Sequence, residues 1–290
     1  MSDPGSPGRD LPPPPAGMPP VPGSPPPDAE AERWTPPEPP AWATREGGRQ
    51  RPRWSSIDTW PALVLTVLGV LTITVDTTTE SVDGAGGTDE TVQMVGAGLL
   101  IAVLVQQGIQ FGWPWLVSRW KGMGIVLDWR FRFDWKRDIG LGIALAVACV
   151  VSVALITETM SALLDLGADA DASNTSIISD NQDSPWIIGV ILVVVIGAPL
   201  SEEMLFRGLV LRAFERDLGV YVGVIGSTIL FTIPHAQPDA TGAETAVLFS
   251  GIATIGLILG LATVRWGRLG PAIIGHFFFN LIGVVITLTT

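Results

Sequence analysis

The chain has two histidines, His235 and His276, and both fall inside long apolar runs. A third run holds an adjacent acidic pair, within Gly197-Ala198-Pro199-Leu200-Ser201-Glu202-Glu203-Met204-Leu205-Phe206-Arg207-Gly208. Ionisable side chains in such runs are costly to bury and by default mark function. A carboxylate beside imidazoles in a water-poor pocket can deprotonate a water molecule. It can also hold a divalent cation such as zinc, with Glu202, His235 and His276 as the ligands. Donors aimed at the developing oxyanion would complete an amide hydrolase. His276 and Asn280 are four residues apart, so they share one helix face and suit that task. Glu203 and Arg207 are also four apart and read as an ion pair. Glu202 lies about 100° around the helix from Glu203, so that pair leaves it unexplained. The pattern H-E-x-x-H is absent, which weakens a conventional zinc site, and no G-x-S-x-G elbow supports a serine mechanism. Cys149, the only cysteine, sits among apolar residues and reads as packing.

The elements that must position these residues are membrane spans. Of 290 residues, 47% are hydrophobic and 16% charged, against about 25% charged in an ordinary soluble domain. The net charge of −11 gives no basic face for nucleic acid, and one thiol allows no disulfide framework. Apolar runs lie near 58–75, 91–117, 138–164, 185–205, 219–235, 245–264 and 269–290. Each is close to the roughly 20 residues that cross a bilayer. The expected fold is an all-α polytopic membrane protein with about seven transmembrane helices over residues 57–290. Gly112-Trp113-Pro114-Trp115 interrupts the second run, its tryptophans suited to an interfacial belt. Residues 1–53 hold 17 of the 24 prolines. Residues 1–56 therefore read as a disordered, proline-rich, solvated tail whose binding partner, if it has one, is unknown. No signal peptide is visible, and the first run is expected to act as an uncleaved anchor.

Charge sets the expected orientation. The stretch before the first run has Arg45, Arg49, Arg51 and Arg53, whereas 76–90 has acidic residues and no Lys or Arg. Basic and non-basic connections alternate from there to Arg265 and Arg268. By the positive-inside rule the N-terminus is expected to be cytoplasmic, and the expected location is the cell membrane, the plasma membrane if the source is bacterial. Depth follows from counting. Glu202 lies 16 residues before Leu218 and His235 lies 17 after it. In a helical hairpin turning at Gly219, both are about 25 Å from the turn. His276 is about 12 Å beyond Arg268. Pro199 and Pro234 are expected to break or kink their helices beside the site.

Glu-Glu-x-x-x-Arg at Glu202, Glu203 and Arg207, Phe-x-x-x-His at Phe231 and His235, and His-x-x-x-Asn at His276 and Asn280 occur in that order on successive runs. Together they resemble the three motifs of the CAAX protease and bacteriocin-processing family of intramembrane proteases, over about 185–290. The resemblance implies an endopeptidase acting on a membrane-associated peptide or protein. It makes Glu202 the water-activating carboxylate and His235 its partner. Glu203 and Arg207 would support and orient, while His276 and Asn280 would stabilise the oxyanion or help ligate a metal. Two other classes use the same residues: a non-catalytic bacteriocin-immunity or binding protein, and a proton-coupled transporter.

Overall fold

The computed structural model describes residues 53–69, 89–166, 178, 182, 184–237 and 240–289. All belong to one compact unit, Gln50–Thr290. The expected tail over 1–56 lies, but for its last residues, outside the described residues. Among the described residues every regular element is helical and there is no strand. In chain order they are α1 (Ser56–Gly69), α2 (Asp89–Lys121), the single turn α3 (Ile125–Asp128), α4 (Trp135–Leu163), α5 (Ile187–Leu218), α6 (Val220–His235), α7 (Gly242–Trp266) and α8 (Gly270–Thr289).

Among the described residues, five helices are long and apolar enough to cross a membrane: α2 from Ala97, α4, α5, α7 and α8. Against the expected seven, five are full-length candidates, and α1 and α6 are shorter apolar helices. The physical reason at α6 is Pro234, which sits in a closing 3₁₀ turn, Ile233–His235. At 16 residues, α6 rises about 24 Å, short of the roughly 30 Å of a hydrocarbon core.

Sequence signals explain where helices stop. Gly219 takes φ +92°, so the chain reverses between α5 and α6 where a side chain would be strained. Thr241 caps α7, its hydroxyl accepting from the Glu244 N–H while Glu244 accepts from the Thr241 N–H. One expectation fails. Gly112-Trp113-Pro114-Trp115 does not interrupt its span, because α2 runs through it with Pro114 inside. Tertiary bonds anchor the site of the proline. The Pro114 carbonyl accepts from Trp129 Nε1 at 2.9 Å, and Trp113 Nε1 donates to the Asp58 carbonyl at 2.7 Å.

The middle of the bundle is α5 and α7, which are buried far more than α2 and α4. Close crossings set the depth of the remaining helices. A Cβ on Gly142 of α4 would lie 2.4 Å from Ile274 Cγ2, and one on Gly275 of α8 would lie 2.9 Å from Leu145 Cβ. A Cβ on Gly256 of α7 would lie 3.0 Å from Thr228 Cγ2 of α6.

The basic end of the bundle is tied by buried aspartates. Asp128 accepts from Trp54 Nε1, the Ser118 hydroxyl and the Met123 and Gly124 N–H groups. Asp58 pairs with Lys121 at 2.5 Å. Asp138, fully buried on α4, takes both Nε and Nη2 of Arg268. That pair fixes the start of α8, and with it the height of His276 two turns on.

Candidate active site

The site is assembled on α5, and α5 is not an ordinary α-helix. Two stretches, Val193–Gly197 and Glu203–Val210, are π-helical, with Ala198–Glu202 between them. Such widened turns are rare and cluster at functional positions. The expected break at Pro199 therefore takes another form. The helix continues, and the proline is absorbed by widening on either side. Every residue of Glu203–Val210 is buried.

Glu203 and Arg207 are both 0% exposed and pair at 2.9 Å. Arg207 also donates from Nη2 to the Gly256 carbonyl at 3.3 Å. Its guanidinium lies 4.2 Å from the centre of the Phe231 ring. Glu203 Oε1 carries a second partner, His276 Nδ1, at 3.0 Å. Glu203 Oε2 is buried with no hydrogen-bond partner. The other face of that imidazole meets Glu202, with Nε2 3.9 Å from Glu202 Oε2. Glu202 remains 13% exposed at its side chain. One acid of the pair is thus sealed and the other is open.

His235 lies at the end of α6, where Nδ1 bonds the Phe231 carbonyl at 2.9 Å. A carbonyl can only accept, so Nδ1 carries the proton and Nε2 the lone pair. Glu202, His276 and Arg207 are the ionisable groups close enough to act on its ring electrostatically. Phe231 stands between the imidazoles, its centroid 4.9 Å from His235 and 6.1 Å from His276. Asn280 is turned elsewhere. Its Nδ2 donates to the Val194 carbonyl at 2.8 Å. The structure therefore joins Glu202, Glu203, Arg207 and His276 directly, sets His235 beside them across Phe231, and holds Asn280 on the first widened turn.

The donor types Glu202, His235 and His276 would suit a metal, but their placement does not. Among the described residues no three His, Cys, Asp or Glu side chains form a group that could hold a metal ion. Cys149 is fully buried in the main core, and Glu158 is exposed on α4.

Sequence reasoning missed the supports. Ser201 donates to the Gly197 carbonyl at 2.9 Å and lies 3.3 Å from Oε1 of the buried Gln110. A signal was present, since Gln106, Gln107 and Gln110 are polar residues in an otherwise apolar span. The Gly256 and Val194 carbonyls carry no such signal, being backbone.

Residues 184–282 match the family model for type II CAAX prenyl endopeptidases, Rce1-like. The Rce1-like segment contains every residue of the site, from α5 to α8. An "Uncharacterized 24.3 kDa protein" of Escherichia coli is 27% identical over 122 residues, 41% of this chain. The chain spans about half (54%) of the length of that relative. No solved structure matches the chain.

Proposed function

We propose that the protein is a membrane-embedded endopeptidase that hydrolyses a peptide bond of a membrane-associated substrate by carboxylate-activated water. The observation that carries the reading is the asymmetry of the acid pair. Glu203 is committed to Arg207 and His276, while Glu202 stays open beside two imidazoles whose Nδ1 atoms are tied to acceptors. The His235 tether leaves its Nε2 free to accept from a water.

A water held between Glu202 and His235 Nε2 donates a hydrogen bond to each. Glu202 takes its proton outright as the oxygen attacks the carbonyl carbon. The C–O bond forms and the carbonyl electrons move to oxygen. Collapse of the tetrahedral intermediate breaks the C–N bond, and the leaving nitrogen takes the proton back from Glu202. Water has then added as OH to the acyl carbon and H to the amine. Arg207 and Glu203 hold the ring of His276 in place. The basic end faces the cytoplasm of a cell membrane, and the substrate reaches the site from the bilayer.

The test is cleavage of a membrane-anchored reporter peptide by purified protein in detergent. Glu202→Ala and His235→Ala should each slow the chemical step by about 10²- to 10⁴-fold. A variant that cleaves as fast as the wild type sinks the assignment. Prolonged chelation should leave the wild-type rate unchanged, and a loss restored by added zinc would replace this mechanism with a metal-dependent one.

A further inference from the structure

We infer that Asn280 is a positioning residue whose amide supplies the hydrogen bond that Pro199 denies to the Val194 carbonyl, locking α8 against the first widened turn of α5. In that turn the Ala198 N–H donates to the carbonyl of Val193, five residues back. Ala198 is therefore unavailable to Val194, its partner in an ordinary α-helix. The next donor in the widened register is residue 199, a proline with no N–H. Both helical partners of the Val194 carbonyl are thus removed, at a depth where water is scarce.

Asn280 answers from the neighbouring helix, its Nδ2 donating to that carbonyl at 2.8 Å. This bond fixes the plane of the amide and occupies one of its two protons. One turn earlier on the same face, His276 Nδ1 meets Glu203 Oε1 at 3.0 Å. The two struts grip α5 on either side of Glu202, at Val194 and at Glu203. Asn280 therefore acts on the chemistry through the placement of α5 and His276.

The kinetic arm of the test rests on the peptidase reading, while the melting arm does not. The experiment compares wild type, Asn280→Ala, Pro199→Ala and the double variant in detergent, by thermal melting and by kcat and KM on a reporter peptide. Asn280→Ala should lower Tm by about 2–4 °C. It should lower kcat by on the order of 10- to 100-fold with KM little changed, as expected of a misplaced catalytic group. Pro199→Ala restores an N–H in register with Val194, so in that background the Asn280 loss should shrink to within about twofold. Equal losses of Tm and kcat in both backgrounds overturn the inference. Asn280→Asp, similar in size but without the amide donor, should reproduce the alanine loss. An aspartate variant with wild-type melting and kcat overturns the inference even where Pro199→Ala fails to fold. If no peptide is cleaved but the melting losses depend on Pro199, the peptidase reading fails and the strut stands.

Discussion

At the scale of residues, the site turns on one buried ion pair and its third member. Glu203 and Arg207 have no access to solvent, so each needs the other. Arg207→Met would leave a buried carboxylate facing only His276, and should cost about 3–5 kcal/mol. Adding Glu203→Gln should recover part of that loss, because a missing pair costs less than half of one. Denaturant melts of the two variants check this, and wild-type stability in Arg207→Met would show that the pair bears no weight. Spacing made this pair legible in the sequence, since i and i+4 must meet on a helix. The partner of His276 was not legible. The sequence set His276 with Asn280, which share its helix face, whereas the ring bonds across to Glu203 and the two residues grip different turns of α5.

At the scale of elements, glycines determine how closely helices approach the site. Gly142 lets α4 meet α8 directly beneath His276. Gly142→Ala should force the two helices apart, costing about 1–3 kcal/mol and lowering kcat as His276 shifts. Gly140, on the same helix, has nothing within 4 Å of where its Cβ would stand. Gly140→Ala should be neutral or stabilise by up to about 1 kcal/mol. Paired melts decide, and equal effects would mean that the crossing does not set the height of α8. Helix existence and the Gly219 reversal could be read from apolar runs and turn chemistry. The passage of α2 through Pro114 could not, because the bonds that steady that turn come from Trp113 and Trp129, which reach Asp58 and α2 only in the folded chain. Nor could the widened turns of α5, since an apolar pattern tolerates one extra residue without losing its face.

At the scale of the whole molecule, the acidity reads differently in three dimensions. Outside residues 1–53, 12 of the 21 acidic residues fall in connections without Lys or Arg. Asp58, Asp128 and Asp138 lie instead among the basic residues, buried and bonded. They close one end of the bundle and seat the segment 122–134 against α1 and α2. Asp128→Ala would leave Trp54 Nε1, the Ser118 hydroxyl and two backbone N–H groups without their acceptor. It should loosen that segment and open Arg130 and Arg132 to trypsin well below the global melting temperature. Cleavage kinetics no faster than wild type would show that the segment is held by packing alone.

The two widened turns of α5 have a genealogical consequence. A π-helical turn differs from its α-helical counterpart by one additional residue in the same ladder. Gaps inside membrane helices are ordinarily poor hypotheses in comparisons between relatives. In α5 they have a physical place to fall, at 193–197 or at 203–210. A relative one residue shorter at the first of these would keep both its acidic pair and the helix face before it, the widened turn closing to an ordinary one.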